Sequence, residues 1–120
     1  MEQHQEGSVV VIRANERKKF PVPNQQLSYE RLSPDGAEAL AMFGVRVPAN
    51  QSTGPDALQH KGDENLLVLT GTFELEVDGA KYTLRSGDSS YIPRGQRHRL
   101  TNVGAQTGEC VFVLCPPVYR

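Results

Sequence analysis

Three side chains carry the chemistry that this sequence offers most directly: His60, Glu64 and His98. The first two frame His60-Lys61-Gly62-Asp63-Glu64. The third follows the turn-like Pro93-Arg94-Gly95-Gln96-Arg97. Two neutral imidazoles and one carboxylate gathered on one side of an ion leave other coordination positions open. Such a set suits a divalent transition metal, Fe(II) first, with Mn, Ni, Co or Zn as alternatives. Open positions allow bound water, dioxygen or a substrate to be polarised. The plainer reading is a metal-free site in which the same groups line a polar pocket.

The spacing makes a demand on the backbone. On one straight strand, residues four apart are roughly 13 Å apart, so His60 and Glu64 could not share an ion. A turn at Lys61-Gly62-Asp63 is therefore required if they are to meet. His98 must arrive from a neighbouring strand.

The surrounding elements read as short strands. Ser8 to Ile12 is a β-branched run and is expected to be the first strand. Arg13 to Asn24 carries charges, Pro21 and Pro23, which suits a connection or a sheet edge. Leu27, Tyr29 and Arg31 alternate with polar residues, as do Phe43, Val45 and Val47. Leu66 to Leu69 is an apolar run of strand length that Gly71 breaks. Phe73, Leu75 and Val77 then alternate up to Asp78-Gly79, a hairpin signal because a type I′ turn needs positive φ at both central residues. Further short strands are expected at Ser89 to Ile92, His98 to Thr101 and Glu109 to Cys115, where Pro116-Pro117 stops the last. Many short strands with close turns and no sustained helical period predict an all-β sandwich or barrel.

Composition narrows the function classes. At 120 residues the chain is expected to form one domain, 8–120, behind a polar lead of residues 1–7 that is expected to be frayed. A net charge of −1 gives no global attraction to nucleic acid or to an anionic membrane. No apolar run approaches a membrane span and no signal-peptide core is visible, so a soluble, cytoplasmic protein is expected. Cys110 and Cys115 fall in one predicted strand on opposite faces, roughly 16 Å apart, too far to bridge. Both are read as buried structural thiols. Nothing in the chain forms the nucleophile–base constellation of a Ser or Cys hydrolase.

The residues quoted above also carry a family resemblance. Gly87, Pro93, Gly95, His98 and Asn102 match, without a gap, the second cupin motif Gly-x5-Pro-x-Gly-x2-His-x3-Asn. His60, Glu64 and Gly71 stand at their spacings in the first motif, His-x-His-x3-Glu-x6-Gly, whose first histidine is here Leu58 and whose opening glycine is Ser52. The chain thus resembles a single-domain cupin over about its C-terminal two-thirds. That resemblance implies a double-stranded β-helix, or jelly-roll, barrel with three of the four usual ligands. It is similar to the hydroxypropylphosphonate epoxidase branch, which uses His-x3-Glu and a later His. It is also similar to the sensor domains that follow a helix-turn-helix in bacterial regulators, although a stand-alone barrel without a DNA-binding segment is expected here.

Around the ligand set, Leu58, Leu66 and Val68 are expected to line an apolar pocket. Arg46 is a candidate for an anionic substrate group if its strand face turns inward. Tyr91 is a candidate pocket hydroxyl, and Arg94 a cation at the barrel mouth. Arg97 and Arg99 flank His98 and should face outward, Asp63 should point to solvent, and Asn102 should hydrogen-bond loop backbone. Two functions follow. One is a metal-dependent enzyme of oxygenase, isomerase or lyase type acting on a small organic molecule. The other is a non-catalytic, sensor-like small-molecule module. A homodimer is expected in either case, with Ser8 to Ile12 offered to a partner's sheet edge.

Overall fold

A computed structural model describes residues 8–21, 27–53 and 61–117. Among the described residues nine strands follow a 3-10 turn at Ala14–Glu16: β1 Lys18–Pro21, β2 Ser28–Arg31, β3 Ala41–Val47, β4 Asp63–Thr70, β5 Thr72–Val77, β6 Ala80–Arg85, β7 Ser89–Ile92, β8 His98–Asn102 and β9 Gly108–Cys115. They form a six-stranded sheet in the order β1-β2-β3-β9-β4-β7 and a three-stranded sheet in the order β6-β5-β8. Every ladder is antiparallel. This is the all-β arrangement that the alternation and turn spacing predict, in the jelly-roll form that the cupin resemblance implies.

The inner faces follow from period-two patterning. In β3, Ala41, Phe43, Val45 and Val47 are buried while Arg46 is exposed. In β4, Glu64, Leu66 and Val68 are buried while Asn65, Leu67 and Leu69 are exposed. Leu66, Val68, Val45 and Cys110 of the larger sheet meet Phe73, Leu75, Leu84 and Leu100 of the smaller one in a single core. Each such aliphatic or aromatic side chain contributes roughly 1.5–3 kcal/mol on full burial. A second cluster of Ala41, Phe43 and Leu114 closes one end, with Phe43 stacked on Phe112 at 5.1 Å between ring centroids.

Turn chemistry matches the sequence pattern. Asp78 and Gly79 have φ of 48° and 86°, the two positive values that the predicted hairpin requires. Asn102 is fully buried. Its Nδ2 donates to the carbonyls of Val47 and Gln106, and its Oδ1 accepts from the Gly104 amide. It fastens loop backbone, as expected.

Two expectations are corrected. Ser8 to Ile12 is not a strand; Val9 is 87% exposed, and the first strand is Lys18–Pro21, at the edge of the larger sheet. β-branched composition fits a pleated, half-buried surface, and no strand among the described residues pairs with that run to supply one. Cys110 is buried, which pushes its thiol up to about 12, but Cys115 is exposed. The two lie on opposite faces of β9, so only one reaches the core.

Close packing explains a glycine at the start of β9. A Cβ at Gly108 would stand 2.6 Å from Phe73 Cζ and 3.0 Å from the Thr70 carbonyl oxygen. Phe73 is fully buried against this bare backbone. Gly108→Ala is expected to destabilise the fold by about 1–3 kcal/mol. Urea unfolding should show a lower midpoint with an unchanged slope; an unchanged midpoint would contradict this packing.

Candidate metal and ligand site

Glu64 is the second residue of β4, and its side chain points into the barrel with 7% exposure. His98 opens β8 and is 5% exposed. The two strands belong to different sheets, so the pair spans the interior. His98 Nε2 lies 3.5 Å from Glu64 Oε2. On the other side of the ring, His98 Nδ1 is 3.3 Å from the Gln96 carbonyl oxygen. A carbonyl only accepts, so this contact favours the tautomer with its proton on Nδ1. Nε2 then faces Glu64: protonated, it donates to the carboxylate, and neutral, it offers its lone pair to the same space. Burial pulls the His98 imidazole down. The Glu64 carboxylate, through hydrogen bonding and charge, and the Gln96 carbonyl outweigh that, and the net shift is upward from 6.5.

The neighbours are set by register. Glu64 is paired with Ile92 of β7 and Leu114 of β9; His98 is paired with Val77 of β5. Directly opposed residues share a face, so the two polar groups sit among apolar walls. Tyr29 of β2 joins them. Burial, and then the charge of Glu64, push its phenol up to about 12. Its ring meets Phe112 edge to face at 6.3 Å. The sequence reading placed Tyr29 on a strand and missed its part in the site. The alternation of Leu27 and Tyr29 was the available signal, but its closeness to Glu64 depends on pairing across the sheet.

Outside the barrel, Asp63 grips the turn that delivers His98. Its Oδ1 accepts from the Arg94 amide at 2.8 Å and from Arg94 Nε at 3.2 Å. Hydrogen bonds from the Arg94 side chain and amide and from Tyr91 hold the Asp63 carboxyl down at about 2. The Arg94 charge is thus spent on Asp63, not left at the barrel mouth to attract a substrate. Asp63 is engaged in a clamp instead of simply facing solvent.

The remaining expected residues divide clearly. Leu58 and His60 lie outside the described residues, as does the question of how His60 approaches Glu64. Leu66 and Val68 are buried on the inner face, in the core. Arg46 does not enter the pocket: its face of β3 turns outward, and its guanidinium pairs with Glu109 across the ladder at 3.4 Å. The alternation that buries Phe43, Val45 and Val47 forces that outcome. Tyr91 is 61% exposed, and its hydroxyl donates to Asp63 instead of reaching the Glu64–His98 pair. Gly62, where the sequence demanded a turn, is in a buried bend just before β4, and a Cβ there would run into the Pro116 carbonyl oxygen.

Among the described residues no three His, Cys, Asp or Glu side chains cluster as a metal site. Two donors do converge. An imidazole nitrogen with its lone pair inward and a carboxylate oxygen 3.5 Å away, both buried, form a donor set that a divalent transition ion can share. The residues present fit such a group.

Comparison with known proteins agrees with this architecture. The family described as Cupin domain matches residues 44–114, more than half of the chain. Protein SchB of Streptomyces halstedii is 33% identical over 86 residues, covering 71% of this chain and 62% of SchB. Polyketide synthase CurC of Streptomyces cyaneus is 37% identical over 54 residues, covering 45% of this chain and 35% of CurC. The chain therefore spans less than two thirds of the length of either relative. Among solved structures, the polyketide cyclase RemF from Streptomyces resistomycificus superposes with a TM-score of 0.73 at 24% identity, covering 94% of this chain and 85% of RemF. At that identity the likeness speaks to the fold alone; the family match over residues 44–114 is what shows that the chain belongs to the cupin domain family.

Proposed function

We propose that this cupin is a metal-dependent enzyme acting on a small organic molecule inside the barrel, with a ring-closing step on a polyketide-type chain as its reaction class. The observation that carries the reading is the buried Glu64–His98 pair, set 3.5 Å apart in an apolar wall. The names of CurC and RemF support the substrate class. Glu64 and His98 would hold the ion, with His60 as the third ligand and Fe(II) favoured over Mn, Ni, Co or Zn. When bound, the ion supplies Lewis-acid polarisation of a carbonyl oxygen.

The chain's own groups do the rest. The Gln96 carbonyl fixes the His98 ring so that Nε2 faces inward. The Tyr29 phenol, pushed up to about 12, stays protonated near neutral pH and can donate a hydrogen bond to an oxygen gaining negative charge. Val77, Ile92 and Leu114 keep water from the pair and so strengthen each polar contact. No proposed step needs Arg46 or Arg94, whose charges are paired on the outer surface.

Metal content tests this directly. After reloading with Fe(II), Mn(II), Ni(II) or Zn(II), the wild-type protein is expected to retain about one equivalent of one of them, and His98→Ala less than about a tenth. Wild-type protein below about a tenth for every metal would sink the reading. With metal loaded, absence of oxygen uptake during turnover separates ring closure from oxygenation.

The Glu64–His98 pair also predicts a pH signature with opposite signs in the two forms. In metal-free protein the folded pKa of His98 lies above its unfolded value. Its contribution is therefore complete below about pH 6.5 and is lost as pH rises through the folded value. The melting-temperature advantage of metal-free wild type over His98→Gln should shrink as pH rises from about 6 to 8. Loaded protein should gain stability over the same range, because protons compete with the metal. An advantage that grows with pH in the metal-free form would contradict the pairing.

A further inference from the structure

An open cavity of about 510 Å³ lies at the β1 edge of the larger sheet, and none of the residues around the Glu64–His98 pair lines it. Its wall is built by Ile12 and Glu16 ahead of β1, Lys18 of β1, Arg31 at the end of β2, and Pro34 and Asp35 in the loop that follows. Lys18 and Arg31 are direct partners across the β1–β2 ladder, so their side chains leave on one face. The Arg31 guanidinium lies over the Phe43 ring at 5.5 Å. Asp35 faces both cations: its Oδ1 is 3.5 Å from Arg31 Nε and its Oδ2 is 3.7 Å from Lys18 Nζ. Both contacts are ion pairs without a hydrogen bond. Among the described residues, neither the Lys18 ammonium nor the Asp35 carboxylate hydrogen-bonds any other group. Each keeps its bonding capacity, and at 63% and 61% exposure both are within reach of a ligand.

The charges select the ligand. Glu16 adds a second carboxylate to the wall, so each sign is represented twice. An ion of one sign would be repelled by half of these groups, whereas a dipolar ion meets each with its opposite. Ile12 and Pro34 add apolar surface, and the volume falls within the roughly 300–1,000 Å³ of small-molecule sites. We propose that this cavity binds an α-amino acid with a large apolar side chain. The ligand carboxylate accepts from Lys18 Nζ, the ligand ammonium donates to the Asp35 carboxylate, and the side chain lies against Ile12 and Pro34. The long Lys18–Asp35 pair is parted at little cost, because exposed ion pairs contribute little. Ile12 belongs to the segment ahead of β1, so the ligand joins that segment to the loop after β2. The site goes beyond the enzyme reading above and stands whether or not Glu64 and His98 hold a metal.

The probe is L-phenylalanine, titrated into the 15N-labelled full chain and followed by amide chemical shifts. The expected result is saturable binding, with shifts centred on Ile12, Lys18, Ser33 and Asp35. Phenethylamine lacks the carboxylate and 3-phenylpropionate lacks the ammonium, and each should bind at least about threefold more weakly than phenylalanine. Lys18→Met and Asp35→Asn should each weaken phenylalanine about three- to tenfold, the span of one hydrogen bond. Amide shifts unchanged outside the cavity check that both variants are folded, and the comparison of the three probes on wild type does not depend on either variant. The assignment is overturned by no saturable binding, by shifts centred elsewhere, for instance on Gln96 and His98, by equal affinity for the three probes, or by undiminished phenylalanine affinity in either variant.

Discussion

A carboxylate taken into an apolar barrel is costly unless something meets it, and Glu64 is met by His98. The local architecture can be read as what that encounter requires. The two residues begin strands of different sheets, so neither sheet alone brings them together. Glu64 is held by β4, hydrogen-bonded on both sides by β9 and β7. His98 is held by its pairing with Val77 and by the Gln96 carbonyl behind its ring. Because β9 links β3 to β4, the walls behind the pair, Leu114 and Phe112 among them, belong to the same ladders that fix its position.

Two consecutive residues divide the task. Asp63 and Glu64 point to opposite sides of β4, as successive strand residues must. Glu64 goes inward to His98, while Asp63 stays outside and takes hold of Arg94 in the turn before β8. The Asp63 carboxyl, held at about 2, remains ionised through the physiological range, so the clamp does not loosen with ordinary changes of pH. One dipeptide thus anchors both the inner site and the loop that completes it. Exposed ion pairs of this kind contribute little to global stability, so the value of this one lies in positioning.

The apolar surroundings serve the same end. Tyr29, Phe112 and Phe43 form an aromatic row of edge-to-face and stacked rings, and Val77 and Ile92 stand against the pair from β5 and β7. In such surroundings each polar contact gains strength.

What could be read from the chain alone was whatever depends on neighbours in sequence. Alternation assigned Phe43, Val45 and Val47 to one face, and Asp78-Gly79 announced its hairpin. The run from Gly87 to Asn102 announced the turns around His98, because φ and side-chain direction are local properties. What depends on strand pairing was decided only by the tertiary structure. Ser8 to Ile12 has strand composition without a partner, whereas charged Lys18–Pro21 found an edge. Arg46 met Glu109, Arg94 met Asp63, and Tyr29 came within reach of Glu64. Gly62 and Gly108 are bare because backbone or ring from distant segments presses against them. Register joins residues tens of positions apart, and a shift of one would turn every one of these side chains to the other face. The sequence thus determined which groups were available for chemistry, and the pairing of β4 with β7 and β9, and of β5 with β8, decided which of them meet.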